Sequence, residues 1–410
     1  MKFSKILILC FLIIQTIAPL AIAATPGSLE LDLSSSDYRK ALEGRQVLFS
    51  NSGLERILKI GQRNLDWLEL INKNRPDDKK LELSTAATQG GIPIESPRKS
   101  NPTIIQADFD AITATLPKSV SDVLLNNWPQ SEQPPIEDEA FLEIARKIDR
   151  SYQSASRWIL QEPDLWSYTM RSNMDIRGYV FLSREAGLEA KLKGWTGLDA
   201  EVRKNFENWL VGECHNSNHS IQDCKNILSH EISVKGHPWN FHLTYLAGSK
   251  ELYDGFFELQ NSRSDSHWNA GKSLYTVPFK TPELPAVGLW LSTNIEDEWR
   301  FNGFQLRLNF KSNGSGMPRV VFEAGATPHV DGLGGNTITM DANRSIQEYS
   351  SRWTIRHEFG HVLGFPDCYV EYYDNEDSVM ISYQIDIENL MCSRKGKFKQ
   401  THLDELRKAN

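Results

Sequence analysis

The run from His357 to Asp367, His-Glu-Phe-Gly-His-Val-Leu-Gly-Phe-Pro-Asp, restricts this chain more than any other stretch, because its spacing suits one helix followed by one forced turn. Side chains four apart on an α-helix share a face, so His357 and His361 can aim ring nitrogens at one cation. Glu358 sits beside that face, where it can accept a proton from a metal-bound water without being a ligand. The preceding segment, Gln347 to Arg356, reads helical, with Trp353, Phe359, Val362 and Leu363 available to bury the other sides. Gly364 permits the positive φ that ends helices, and Pro366 lacks the N–H needed to continue one. The resulting turn would carry Asp367 back beneath the histidines. Two neutral nitrogens and one carboxylate oxygen, with a fourth position open to water, suit a catalytic zinc ion rather than a structural one. Ordinary residue frequencies yield H-E-x-x-H in roughly one such chain in a hundred, and the added Gly and Asp lower this by about two orders of magnitude.

On these residues the chain resembles the metzincin superfamily of zinc endopeptidases, in the snapalysin-like variant whose long motif ends in Asp. The resemblance implies zinc on His357, His361 and Asp367, with Glu358 as general base. It also implies a methionine in a tight turn below the metal. Met391, in Asn389-Leu390-Met391-Cys392-Ser393, fits that role better than Met380, whose Val-Met-Ile-Ser-Tyr run reads as a buried strand or loop core. In several metzincins a tyrosine two residues after the methionine helps stabilise the oxyanion, but Ser393 stands there. Tyr369, Tyr372, Tyr373, Tyr383 and His402 are the substitutes on offer. Thermolysin-like enzymes take a third ligand from a later helix, which would make Glu388 or Glu371 the competitor of Asp367.

Upstream, Phe304 to Phe310 alternates like a strand with one apolar face, and Arg319 to Glu323 and Asn336 to Met340 are further β-rich runs. Asp331-Gly332-Leu333-Gly334-Gly335 suggests a bulge or turn rather than a phosphate cradle, since neither a Lys-Ser/Thr pair nor a helix follows. The family places an irregular edge strand before the zinc helix, and extended substrates pair with it. Residues 283–300, with Trp290, Leu291, Ile295 and Trp299, can supply a backing helix. The expected fold is α+β: a metzincin-like domain over 271–410, with a twisted mixed sheet and the zinc helix, preceded by a mainly helical region over 24–270.

Lys2 and Lys5, an apolar stretch from residue 6 to 20 and Ala21-Ile22-Ala23 have the form of an export signal over residues 1–23, which predicts a secreted or periplasmic protein. Its loss removes Cys10 and leaves Cys214, Cys224, Cys368 and Cys392, an even set. Four cysteines allow three pairings; proximity in sequence favours Cys214 with Cys224, and the other pair would then be Cys368 with Cys392, a bridge that would join the exit of the zinc helix to the methionine turn. No C-x-x-C pair offers these cysteines a zinc of their own.

Between residues 24 and 270, helices are expected from a capping pattern at Ser52, with Leu54, Ile57, Leu58, Leu65 and Leu68 on one face, from Glu139 to Leu160, and from Leu198 to Leu210, where Val202, Phe206 and Leu210 align. Loops are expected at 74–103 and 127–137. The region reads as a propeptide that covers the cleft, cut within 74–103, or as an accessory domain. An inhibitory cysteine on the zinc would need Cys214 or Cys224 unpaired.

A net charge of −8 argues against a general nucleic-acid binder, and no segment after residue 23 is apolar enough to span a membrane in the mature form. The function expected is an exported zinc endopeptidase acting on protein or peptide. The alternatives are a zinc-stabilised binding or structural protein without turnover, and a zinc amidase acting on cell-wall material.

Overall fold

The computed structural model describes residues 34–43, 52–76, 79–85 and 90–409; the expected export signal over 1–23 lies outside them, as does part of the loop expected at 74–103. In chain order come α1 (Ser35–Leu42), α2 (Ser52–Asn72), β1 (Arg98–Ser100), α3 (Pro102–Thr113), α4 (Lys118–Leu124), α5 (Asp138–Gln161), α6 (Leu165–Met170) and α7 (Arg177–Arg184). They are followed by α8 (Leu188–Lys193), α9 (Ala200–His215), α10 (Ile221–Lys235) and α11 (Trp239–Gly255). The second part runs β2 (His267–Trp268), β3 (Leu274–Lys280), α12 (Pro285–Leu291), β4 (Arg300–Phe301), β5 (Phe304–Lys311), β6 (Arg319–Glu323), β7 (His329–Val330) and β8 (Thr337–Asp341). It closes with α13 (Tyr349–Leu363), β9 (Tyr369–Asp374), β10 (Val379–Gln384) and α14 (Gln400–Lys408).

Local chemistry explains the principal helices. The first turn of α5 carries Asp138 and Glu139, which suit the positive end of the helix dipole. Phe141, Leu142, Ala145, Ile148, Tyr152, Ala155 and Ile159 bury its inner face at helical spacing. At α3, Asn101 accepts the Ile104 N–H at 2.9 Å and Pro102 opens the helix without wasting a donor. On α2, Leu54, Ile57, Leu65 and Leu68 are buried against α5, as their spacing predicts. On α9 the face is Phe206 and Leu210, while Val202 turns to solvent.

The strands form three small sheets rather than one: β1-β10-β9, β2-β3-β5-β4 and β6-β8-β7. β3 with β5 and β6 with β8 are parallel, and the remaining pairs are antiparallel. The architecture is mixed α and β with helix in the majority. Strand β8, directly before α13, is interior to its sheet; the edges are β6 and the two-residue β7, and the glycine-dense loop joins β7 to β8. The backing helix is in place, as α12 continued by a π-helical turn over Ser292–Glu296.

The hairpin of β9 and β10 separates two cores. Val379, Ile381, Tyr383, Val370 and Tyr372 face the cluster that contains Phe359, Val362 and Leu363 of α13. Met380 and Tyr373 face the cluster built by α2, α3, α4 and α5. β10 is buried on both faces, so Val379 to Tyr383 is apolar at every position but Ser382 and shows no alternation.

The helical part enters this arrangement directly. Arg98 pairs with Ser382 in the sheet, Ile92 N–H donates to Gln384 Oε1 at 2.8 Å, and Ile94, Ile176, Val180 and Phe256 lie in the core of α13. Arg157 of α5 is buried against Glu371 of β9, Nε to Oε1 at 2.8 Å. The stretch expected as a loop over 74–103 thus contains a strand, and the boundary drawn at 270/271 falls in the turn between β2 and β3.

Candidate metal centre

Helix α13 buries all of its last turns, so His357, Glu358 and His361 are only 5%, 1% and 9% exposed. Gly364 ends it at φ +100°, in the left-handed region that favours glycine, and Phe365 N–H returns to Gly360 O at 3.0 Å. That reversal brings Asp367 back under the helix. Its Oδ1 lies 3.2 Å from His357 Nε2 and 3.5 Å from His361 Nε2, and the ligand atoms of the three residues all lie within 4.8 Å of one another.

Backbone carbonyls orient both imidazoles. His357 Nδ1 donates to Leu390 O at 3.1 Å and His361 Nδ1 donates to Phe365 O at 2.8 Å. With Nδ1 carrying the proton, each Nε2 presents a lone pair to the shared point. The two rings stand 4.8 Å apart at 89°, and Trp353, one turn earlier, stacks on His357 at 4.9 Å. Arg394 in turn lies over the Trp353 ring.

Two ring nitrogens and one carboxylate oxygen placed in this way could hold a metal ion. Asp367 Oδ1 accepts no regular hydrogen bond, and both oxygens of Glu358 are buried with no partner among the described residues. Burial pushes the Glu358 carboxyl above the usual carboxylate range, against the pull of His361 and His357. Burial opposes charge on His361, but the Asp367 carboxylate outweighs it and lifts the ring to about 10. Burial also works against the Asp367 carboxylate, yet the His361 and His357 rings hold it well below its ordinary value. These donor atoms must be free of protons before they can ligate a metal ion. Two imidazoles and one carboxylate suit zinc.

Met391 is buried beneath Gly360 in the middle of the motif, while Met380 lies on the far side of the hairpin. Asn389 shapes the turn: its Oδ1 accepts Met391 N–H at 2.8 Å and faces His402 Nε2 at 3.0 Å. Cys368 and Cys392 form a disulfide with Cα atoms 4.5 Å apart, and Cys214 and Cys224 form another at 5.8 Å. The first bridge joins the residue after Asp367 to the residue after Met391.

The other sequence candidates lie elsewhere. Glu371 is committed to Arg157 and Gln161, and Glu388 pairs with Lys395 at the surface. Tyr372 and Tyr383 both donate to Asp175, at 2.8 and 2.9 Å, and Tyr373 packs towards Trp158 in the helical part. His402 is enclosed by Trp299, Phe365 and Phe398, and Ser393 accepts Lys395 N–H within its own turn. Tyr369 opens β9, just after the bridge.

Several contributors had no signal in the sequence. The Leu390 and Phe365 carbonyls orient the two imidazoles, yet backbone acceptors leave no mark on residue identity. His329, on edge strand β7 packed beside α13, is near enough for its charge to favour the Glu358 carboxylate. A lone histidine in a short strand carries no spacing by which to single it out. Comparison with protein-family models, curated proteins and solved structures finds no match for the chain.

Proposed function

We propose that this chain is an exported zinc-dependent endopeptidase of metzincin type. The observation that carries the reading is the pairing of a convergent His357, His361 and Asp367 donor set with a buried, unpartnered Glu358 carboxylate on the same helix. A purely structural site needs the first but has no use for the second. Bound zinc would supply Lewis acidity, acidifying a water and polarising the scissile carbonyl. The rest falls to the chain. His357 and His361 hold the ion as neutral ligands, kept in that tautomer by Leu390 O and Phe365 O. Glu358, made more basic by burial, takes the proton of the attacking water and returns it to the leaving amine nitrogen. Edge strand β7 offers unpaired backbone groups beside α13, on which an extended peptide can be held. The two disulfides accord with an oxidising compartment outside the cytosol, and no helix among the described residues is long and apolar enough to cross a membrane.

The low exposure of His357, Glu358 and His361 favours a second reading, a zinc-stabilised binding protein without turnover. Glu358→Gln separates the two. On the peptidase reading the variant binds one zinc and loses cleavage of unfolded protein by a factor on the order of a hundred or more. Cleavage equal to the parent would refute that reading, and a parent that binds zinc but cleaves neither proteins nor peptides supports the binding protein.

A further inference from the structure

Arg263 is one of 45 Lys and Arg residues, yet it is only 8% exposed, an unusual state for a guanidinium. It follows α11 in the segment that leads to β2. Its Nε and Nη2 pair with Asp265 at 2.9 and 2.7 Å. The rest of the fork meets loop oxygens: Nη1 reaches Asn336 Oδ1 at 2.9 Å, Gly335 O at 3.3 Å and Gly334 O at 3.4 Å, and Nη2 reaches Gly316 O at 3.3 Å. Carbonyl and amide oxygens gathered in this way are the usual surroundings of a hard metal cation. Here a guanidinium stands among them, and its planar set of five donors can serve several oxygens at once.

The loop so held touches the metal centre. Gly334 N–H donates to His361 O at 2.7 Å, so the glycine-dense loop is bonded to the backbone of a ligand residue. The same segment grips the helix exit as well. Gln260 N–H donates to Gly364 O at 3.0 Å, and Asn261 Nδ2 donates to Leu333 O at 2.7 Å. A β-carbon on Gly334 would stand 2.7 Å from Asn261 O, and one on Gly364 would stand 2.7 Å from Asn261 C. Both glycines are therefore required by close approach as well as by φ values of +72° and +100°.

We propose that Arg263 is a positioning residue, an internal cation that organises the 331–336 loop and through it fixes the end of the helix bearing His357 and His361. The proposal rests on the metal-site reading only for its effect on zinc. Its effect on the loop stands independently.

The test compares Arg263→Ala, Arg263→Lys and a control with a core defect far from the site, Leu228→Ala, all at a temperature where each is folded. Zinc affinity is measured by competition with a chromophoric chelator, and backbone order by hydrogen exchange of peptides covering 331–336. Loss of a group that orients a ligand typically weakens metal binding by about 10–100-fold. That loss, with faster exchange at Gly334 and Gly335, is expected for Arg263→Ala. Arg263→Lys keeps the charge without the fork and should recover only part of it, also serving as the informative variant if the alanine form does not fold. The control should bind zinc like the parent. Parental zinc affinity and exchange in Arg263→Ala, full recovery by lysine, or equal weakening in Leu228→Ala would each overturn the proposal. A parent that binds no zinc defeats the metal reading instead, and the exchange of 331–336 then still decides the role of Arg263.

Discussion

Gly360 leaves the space that the Met391 side chain fills: a β-carbon there would lie 2.8 Å from Met391 Cε and closer still to Sδ, with Trp299 behind at 3.3 Å. The glycine within the His357–Asp367 run is thus set by what lies below the helix. Gly360→Ala would ordinarily favour a helix by roughly 1 kcal/mol. Here the clash should reverse the sign, giving a net loss of about 1–3 kcal/mol as Met391 is displaced. Chemical denaturation of the parent and Gly360→Ala measures it, and a more stable variant would show that the thioether yields freely.

The two disulfides should separate into different effects. Replacing Cys368 and Cys392 by serine removes a bridge of sequence separation 24 that ties the Asp367 turn to the Met391 turn. The expected cost is about 3 kcal/mol in stability, together with weaker zinc binding. Replacing Cys214 and Cys224 opens a bridge of separation 10 inside the core of α9 and α10. It should lower the melting temperature and leave zinc affinity at the parental value. Equal zinc affinity in both double variants would disconnect the first bridge from the metal centre.

His402 makes stability depend on pH. Burial, aided by Lys399, lowers its pKa to about 4, with Asp386 pulling the other way. Its ring accepts Lys399 N–H at Nδ1, which suits the neutral form. Between about 4 and an unfolded value near 6.5 the unfolded chain binds the extra proton, so stability is complete above that window and lost as pH falls through it. The full difference is on the order of 3 kcal/mol. Denaturation midpoints at pH 7.5 and 4.5 should therefore diverge less for His402→Gln than for the parent. An identical acid loss in both would assign the effect to other groups.

What could be read from residues alone was whatever a spacing or a turn encodes. His357, His361 and Asp367 come together because helical period and the Gly364 reversal are local properties. Phe304 to Phe310 alternates because one face of β5 is buried, and Cys368 meets Cys392 because the neighbouring pair uses up the other cysteines. Strand β1 is not legible in the sequence because Arg-Lys-Ser has no strand character of its own and pairs only because β10 presents an edge. The roles of Glu371, Tyr372 and Tyr383 were equally hidden, since their partners Arg157 and Asp175 lie far away in sequence. Polar residues near a motif look catalytic until long-range partners are seen to claim them.

The sheet of β1, β10 and β9 also sets an order of assembly. Arg98 must wait for Ser382, so the pairing closes across most of the chain, and loop-closure entropy must be met before any contact rewards it. A ribosomal product ending before Val379 would carry the entire run from His357 to Asp367 and still lack one wall of its core. Possession of the motif and completion of the site are therefore separate events in the life of the chain, divided by the synthesis of β10 and of the turn that carries Leu390 and Met391.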